Sequence, residues 1–167
     1  MEFQTLYAKV EANQGRSSSQ VIALLRQART SRVADSTQSE VATKWGVHAL
    51  EVHRAALGDE IWSVYEQVLL AALGQNDQAL ADQCADALDA RFDGSARVRR
   101  LLAMRDEASG EYADAEEVYG SMLEDNPANA LAFKRRVAIL RAQASDDTLR
   151  ECDVCRILTS CSTKGRA

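Results

Sequence analysis

Proline is almost absent from this chain: 167 residues include one proline and eight glycines. Both residue types interrupt regular helices, so their scarcity favours a mostly helical protein. Hydrophobic residues make up 46% of the sequence, which argues against intrinsic disorder. The composition therefore predicts an all-α globular fold with enough chain to bury a core.

Long apolar stretches are also missing. The longest run, Val68 to Leu73, has six residues, whereas a helix that spans a bilayer needs about 20. The first sixteen residues lack the cationic start and apolar run of a secretory signal. We therefore expect a protein that is soluble or attached to a membrane only peripherally.

Positive charge is not in excess, because the formal net charge is −5. Binding to a phosphate backbone needs clustered cations, so nucleic acid is excluded as the main expected partner. Four cysteines without a visible secretory signal indicate reduced thiols in the cytosol.

Catalytic motifs are lacking as well. The sequence has no G-x-S-x-G turn and no glycine-rich phosphate-binding loop. His48 and His53 are five residues apart, which does not fit a pair of ligands on one helix face; we interpret one as lying near the core edge and one as solvated. Paired acids are interpreted as helix-start or solvent-exposed charges: Asp59-Glu60 and Glu116-Glu117. We predict no enzyme, no catalytic residue, no cofactor and no metal.

One cysteine pair resembles a metal or redox site: Cys152-x-x-Cys155, with Cys161 nearby. Structural zinc needs four ligands, and no second pair is present. A thioredoxin-type site would follow a strand, and no strand is predicted here. We interpret these residues as incidental thiols, with a thiol-dependent regulator as the alternative. Cys84 lies within an amphipathic helix and is predicted to be a small core residue.

What the sequence does contain is a repeat. The best-formed unit runs from Leu101 to Pro127 and has the A-x3-aromatic spacing and closing proline of a tetratricopeptide repeat. Matching residues recur at that repeat's period of 34: Ala81 and Ala115, Ala85 and Tyr119, Leu88 and Met122, Asp93 and Pro127, Leu69 and Ala103. The sequence therefore predicts a right-handed solenoid of antiparallel helix pairs.

The period divides the chain into parts. Residues 1–57 are predicted to form N-terminal helices and a linker at 30–38, and residues 58–158 to form three repeats, at about 59–92, 93–126 and 127–158. In the third repeat, Leu149 and Asp153 replace the expected small and aromatic residues. Residues 159–167 are predicted to be a disordered tail.

Local signals predict where helices begin and end. Capping boxes start helices at Ser17-x-x-Gln20 and Thr37-x-x-Glu40, the second helix continuing through Leu57. Gly58 fits the left-handed position just past a helix end, and Gly74 is predicted to stop the first repeat helix. Asn126-Pro127 is predicted to open the third repeat.

Four basic residues are candidates for partner binding. In a tetratricopeptide unit, positions two and five of the first helix point into the concave groove. These positions place Arg97, Arg100 and Lys134 in a ladder, with Arg141 one turn further, where they could bind an acidic partner segment. The alternative is that they are solvated surface charges. Met104 replaces the asparagine of chaperone-tail clamps, which weakens a co-chaperone interpretation.

Two segments carry a more specific resemblance. GDEIWSVYEQVLLAAL (Gly58 to Leu73) and the stretch from Arg91 to Gln143 resemble subunit 2 of the endoplasmic reticulum (ER) membrane protein complex. The resemblance implies a non-catalytic tetratricopeptide scaffold on the cytosolic side of the ER membrane. It further implies that the scaffold holds other subunits of that complex and supports energy-independent insertion of transmembrane segments. A free peptide-binding adaptor or co-chaperone is the alternative.

The resemblance fades after Gln143, although members of that family continue with further repeats. A solenoid needs a polar capping element at its end, and Leu149, Cys152, Ile157 and Leu158 would instead form an exposed apolar face. We therefore expect a C-terminally truncated form of the family's chain.

Overall fold

The computed structural model describes residues 3–30 and 35–143, and its regular elements there are all helical. This confirms the predicted all-α class. The predicted second helix of the third repeat, the Cys152–Cys155 pair and the predicted tail lie outside the described residues. The chain divides into two compact units, one up to Ser109 and one from Gly110.

The described residues of the first unit form eight α-helices. They are α1 Phe3–Ala12, α2 Ser18–Thr30, α3 Asp35–Val41, α4 Val47–Val52, α5 Arg54–Leu57, α6 Ile61–Gln75, α7 Gln78–Arg91 and α8 Ala96–Ser109. A π-helical turn, Ala42–Gly46, joins α3 to α4, and a 3-10 turn, Gly58–Glu60, leads into α6. The described part of the second unit contains α9 Tyr112–Asp125 and α10 Ala130–Gln143.

Helix α6 is the centre of the first unit. It packs against α3, the π-helical turn and α4 of the N-terminal part and also against α7 and α8. Val68 and Leu69 on α6 are fully buried, as are Leu24 and Leu25 on α2. Burying a side chain of this size stabilises a fold by about 1.5–3 kcal/mol. The N-terminal helices and the first repeat helices therefore share one core, so residues 1–57 do not form a separate compact unit.

The first predicted helix start is close to the observed one. Helix α2 begins at Ser18, and the carbonyl of Ser17 accepts a hydrogen bond from the backbone N–H of Val21 at 3.1 Å. The side-chain oxygen of Gln20 accepts a hydrogen bond from the side-chain amide of Asn13. Gln20 thus ties the α1–α2 turn to α2 through Asn13, whereas the predicted capping box pairs its side chain with Ser17.

The second predicted helix start was wrong. Helix α3 already begins at Asp35, so Thr37 lies inside it and the predicted linker at 30–38 is too long. The predicted continuous helix through Leu57 is also interrupted by the π-helical turn and by a break at His53, where φ is −114° and ψ is 20°. The short helix α5 follows this break.

The predicted stop at Gly74 was also wrong by two residues. Helix α6 continues through Gln75, and Asn76 adopts the left-handed conformation that ends it, with φ 58° and ψ 30°. Asparagine is one of the few residues other than glycine that enters this region at low cost. Gly58 does follow the end of a helix, as predicted, but with φ 51° and ψ −130° it does not adopt the predicted left-handed helical conformation.

Helices α6 and α7 form the first repeat pair. Only Asn76 and Asp77 connect them, which makes the two helices antiparallel neighbours. The Asp77 carboxylate caps α7 by accepting from the backbone N–H of Leu80 at 3.2 Å. The predicted inward residues Ala81, Ala85 and Leu88 are buried. The small side chains of the two alanines let the helices approach closely.

In the second unit, the predicted core residues Ala115, Tyr119 and Met122 of α9 are buried. The predicted opening of the third repeat at Asn126-Pro127 was wrong, because α10 begins at Ala130. Asn129 is the cap, and its side-chain oxygen accepts from the backbone N–H of Ala132 at 3.2 Å.

Asn126 has a different role, since its side-chain oxygen accepts from the backbone N–H of Ala128 at 3.1 Å and forms the turn before α10. The later start also changes which side chains of α10 are covered. Ala132 and Ile139 are buried, whereas Phe133 and Val137 are only half-buried.

Candidate partner-binding surface

Arg97 and Arg100 occupy positions two and five of α8, as the repeat pattern predicts. Both reach Glu66 on α6: Arg97 Nη2 lies 2.5 Å from Glu66 Oε2, and Arg100 Nη2 lies 3.9 Å from Glu66 Oε1. The Glu66 side chain is 15% exposed. The predicted ladder therefore begins with two arginines that share one half-buried carboxylate.

The two arginines differ in how much of them remains accessible. The Arg97 side chain is 68% exposed, whereas that of Arg100 is 26% exposed and its Nε is buried. Arg97 is therefore accessible to a partner, although it is paired with Glu66. Arg100 mainly contributes to the packing of α8 on α6.

A cavity of about 790 Å³ opens beside Arg97. Three arginines and a single glutamate line it, together with Leu70 and uncharged polar side chains. The arginines are Arg26 and Arg29 from α2 and Arg97 from α8, and the glutamate is Glu66. Arg26 and Arg29 were not among the predicted binding residues, because α2 lies outside the segments that show the 34-residue period.

Arg26 and Arg29 are held in place by Glu60. Arg26 Nε donates to Glu60 Oε2 at 2.8 Å and Arg26 Nη2 donates to Oε1, while Arg29 Nη2 lies 3.3 Å from Oε2. The hydrogen bond from Arg26 holds the pKa of Glu60 below its usual value, and the same bond raises the pKa of Arg26. Glu60, which was predicted to be a helix-start or solvated charge, therefore forms ion pairs with two arginines of α2. Asp59 is exposed.

A second cavity, of about 480 Å³, lies between α6, α7 and α8. Its apolar wall contains Trp62 and Phe92, whose ring centroids are 5.4 Å apart in an edge-to-face arrangement. The guanidinium of Arg91 lies 5.8 Å from the Trp62 centroid and 5.1 Å from the Phe92 centroid, within the range of cation–π attraction.

The two cavities are neighbours on one surface. Ser63, Glu66 and Arg97 line both of them. A basic cavity and an aromatic cavity therefore meet at the Arg97–Glu66 ion pair. We call this combined region the α6 surface.

Lys134 and Arg141, the other two predicted binding residues, lie at exposed positions of α10 in the second unit. In the same unit, Arg136 Nη2 lies 3.1 Å from Glu116 Oε1 and joins α10 to α9. The interpretation of Glu116 as a solvated charge was therefore wrong, whereas Glu117 is exposed.

The two histidines meet at the turn between α1 and α2. His53 Nε2 is 2.7 Å and His48 Nε2 is 3.3 Å from the carbonyl oxygen of Gly15, and their ring centroids are 5.4 Å apart. Both are half-buried, so the interpretation of one of them as solvated was wrong. A carbonyl oxygen has two lone pairs and can accept from both rings, which gives the histidines a structural role.

Other chemistry is limited in the described part of the chain. Cys84 is buried, as predicted, and burial raises the pKa of its thiol to about 11. No group of three or more potential metal ligands is found among residues 3–30 and 35–143. No helix in these ranges is both long and apolar enough to cross a membrane.

Comparisons with known proteins identify the repeat type. The family model described as "EMC2 TPR-like repeat domain" matches residues 93–153. ER membrane protein complex subunit 2-A of Xenopus laevis is 39% identical over 124 residues, which cover 74% of this chain and 42% of that protein. Residues 93–153 thus match the EMC2 TPR-like repeat family.

More distant relatives agree with this assignment. ER membrane protein complex subunit 2 of Dictyostelium discoideum is 31% identical over 137 residues, or 80% of this chain and 42% of that protein. TPR repeat protein oca3 of Schizosaccharomyces pombe is 33% identical over 111 residues, or 66% of this chain and 39% of that protein. The chain thus spans about two fifths of the length of these relatives.

The EMC2 TPR-like match begins at Asp93, just before α8, and so contains all four predicted binding residues. The α6 surface combines that matched segment with residues that precede it. Arg97 belongs to the EMC2-type segment, whereas Arg26 and Arg29 come from α2 and Trp62 comes from α6.

Proposed function

We propose that this chain is a non-catalytic scaffold subunit of the ER membrane protein complex. It lies on the cytoplasmic face of the ER membrane, attaches peripherally through the other subunits, and supports energy-independent insertion of transmembrane proteins. The observation that carries this proposal is the 39% identity to the Xenopus laevis subunit over 74% of the chain.

The character of the molecule supports a role in protein contacts. Its buried side chains, among the described residues, are all apolar and serve to pack helices. The charged side chains that remain accessible include Arg97, Lys134 and Arg141. We assign these residues, with Arg100 behind Arg97, to the contacts with partner subunits, because arginine and lysine form strong charge-assisted hydrogen bonds with carboxylates.

Affinity purification tests the assignment to the complex. The full chain is expressed with a tag, membranes are solubilised in mild detergent, and bound proteins are identified by mass spectrometry. We expect recovery of ER membrane protein complex subunits. Recovery of none of them would refute the scaffold proposal.

Charge reversal tests the binding residues in the same assay. Arg97→Glu combined with Lys134→Glu should reduce recovery of the subunits, since it replaces attraction with repulsion. Arg16→Glu is the control for charge reversal elsewhere, because Arg16 is exposed in the turn before α2 and lines neither cavity. Equal recovery of the subunits with the parent chain, the double variant and the Arg16→Glu control would refute the assignment of Arg97 and Lys134.

Insertion is tested separately. Cells that lack this chain should show reduced membrane insertion of a reporter with a single transmembrane segment, and re-expression should restore it. Normal insertion without the chain would reject this part of the proposal while leaving the scaffold role open to the purification assay.

A free peptide-binding adaptor is the second candidate, and the three arginines around the larger cavity favour it. An adaptor would recover soluble acidic partners or chaperones from the cytosolic fraction in place of membrane-complex subunits. The same purification, carried out on both fractions, therefore separates the two functions.

A further inference from the structure

The α6 surface combines two kinds of binding site within one continuous region. The basic cavity offers guanidinium groups and the aromatic cavity offers an apolar wall, and the Arg97–Glu66 pair lies where they meet. Neither feature alone specifies a ligand. Together they define a ligand with two neighbouring parts of different chemistry.

The basic cavity fits carboxylates. Arg26 and Arg97 have side chains that are 59% and 68% exposed, and each guanidinium has more N–H groups than its present partner uses. This concentration of arginine contrasts with the net charge of −5 for the whole protein. An acidic segment would therefore be attracted to this cavity and repelled by much of the remaining surface.

The same residues disfavour a nucleic acid. Glu60 and Glu66 lie among the arginines and would face the phosphates of a continuous polyanion. A peptide can place isolated carboxylates beside the arginines and avoid these two acids. The charge pattern thus selects a protein segment.

The aromatic cavity fits one large apolar side chain. Trp62 and Phe92 are half-buried, while Leu88 and Leu101, which also line the cavity, are buried beneath them. Half-buried aromatic rings next to an arginine are typical of the pockets that anchor a partner's apolar residue. Its volume of about 480 Å³ accommodates a leucine, methionine or phenylalanine side chain.

We propose that the α6 surface binds an acidic segment of a partner protein that carries one large apolar side chain, with the carboxylates beside Arg26, Arg29 and Arg97 and the apolar side chain against Trp62 and Phe92. This deepens the scaffold function proposed above, because it assigns the chemistry of a segment that the scaffold holds. Glu66 occupies Arg97 until a partner carboxylate replaces it.

Synthetic peptides test this chemistry on the purified full chain by fluorescence anisotropy. The first probe is a labelled peptide of glutamates with a central leucine. The second has glutamines in place of the glutamates, and the third has serine in place of the leucine. We expect the first probe to bind at least about tenfold more tightly than either of the others, which corresponds to about 1.4 kcal/mol.

Variants locate the binding. Arg26→Gln with Arg29→Gln should weaken binding of the first probe by about tenfold, and Trp62→Ala should abolish the preference for leucine over serine. Glu66→Gln should strengthen binding severalfold, because Arg97 no longer has a competing carboxylate. Arg16→Gln, which removes one positive charge at an exposed position that lines neither cavity, should leave affinity unchanged.

The Glu66→Gln result keeps the test decisive, since a gain in affinity does not arise from misfolding. Circular dichroism checks that the other variants retain their helix content. Equal affinity for all three peptides, equally tight binding of single-stranded RNA, or an unchanged affinity in Glu66→Gln would each overturn the proposal.

The outcome is separable from that of the scaffold proposal. Peptide binding by the purified chain without recovery of membrane-complex subunits would support the proposed ligand of the α6 surface and refute membership of the complex. Recovery of the subunits without selective peptide binding would support membership of the complex and refute the proposed ligand of the α6 surface.

Discussion

Arg97 of α8 and Glu66 of α6 are joined by an ion pair of 2.5 Å that bridges two helices which are not consecutive in the chain. Because Arg97 is 68% exposed, solvent screens much of this attraction. A double-mutant cycle with Glu66→Gln and Arg97→Gln should therefore give a coupling energy of about 0.2–1 kcal/mol in urea unfolding. A coupling above this range would mean that the pair is a main source of stability rather than an accessible contact.

Gly46, in the π-helical turn, is predicted to be intolerant of alanine. A Cβ at this position would lie 2.5 Å from Cγ2 of Val68, which is fully buried and has no room to move. Alanine normally stabilises a helix by about 1 kcal/mol relative to glycine. Here the overlap should reverse the sign and destabilise the protein by about 1–3 kcal/mol in urea unfolding.

Gly74 is the matched control in the same unit, because a Cβ there would meet only Ser39 Oγ at 3.9 Å. Gly74→Ala should stabilise the protein by about 0.5–1 kcal/mol. Adding Val68→Ala to Gly46→Ala should reduce the cost of the overlap. Stabilisation by both glycine replacements would show that the close approach of Gly46 to Val68 is absent in solution.

The 34-residue period predicted the repeat core well. Ala81 and Ala115, or Ala85 and Tyr119, are equivalent positions that must meet the same neighbouring helix in each repeat, so a sequence repeat dictates a packing repeat. The period carries no such information about α1 to α5. Packing of these helices on α6 depends on contacts such as Gly46 with Val68, which no local sequence signal marks.

The charged surface was predicted less well for a related reason. Periodicity predicted that Arg97 and Arg100 lie on one face of α8, but it gives no information about which neighbouring helix that face contacts. Their common contact with Glu66 depends on how α6 and α8 are rotated relative to each other. The link from Arg26 to Glu60 spans 34 residues, but it joins α2 to the start of α6 outside any recognisable repeat.

Asn76 should be replaceable by glycine and not by alanine. Its backbone has φ 58° and ψ 30°, a conformation that costs an ordinary L-residue about 1–2 kcal/mol. We expect Asn76→Ala to lower the free energy of unfolding by about 1 kcal/mol and Asn76→Gly to leave it unchanged or slightly higher. If both variants lose the same stability, the side chain rather than the left-handed backbone is responsible.

Cys84 should be almost unreactive in the folded protein. Burial raises the pKa of its thiol to about 11, so at pH 8 only about one thiol in a thousand is ionised. We expect iodoacetamide to modify Cys84 at pH 8 only after denaturation, as measured by peptide mass spectrometry. Rapid modification under native conditions would show that α7 opens readily.

The same shift has a consequence for stability at high pH. A thiol whose pKa is higher in the folded than in the unfolded state favours folding while it stays protonated. Its contribution is complete below the unfolded pKa of about 8.5 and is lost as pH rises towards 11. Replacing Cys84 with alanine should therefore flatten the decline of stability between these pH values.

Glu60 and Glu11 offer a crossed test of the ion pairs by NMR titration of their carboxyl carbons. The pKa of Glu60 is lowered chiefly by its hydrogen bond with Arg26, and that of Glu11 chiefly by its hydrogen bond with Lys44. Arg26→Gln should raise the pKa of Glu60 and leave that of Glu11 unchanged. Lys44→Gln should raise the pKa of Glu11 and leave that of Glu60 unchanged.

Because both pKa values are lowered in the folded state, each pair favours folding above the ordinary glutamate pKa and loses that effect as pH falls through the folded-state value. The two glutamine variants should therefore be less sensitive to acid than the parent protein between these values. A shift of Glu11 in Arg26→Gln would show that the two pairs are coupled through α1 and α2 rather than independent. An unchanged Glu60 in the same variant would mean that Arg26 is free in solution, which would remove the fixed geometry that the α6 surface requires of it.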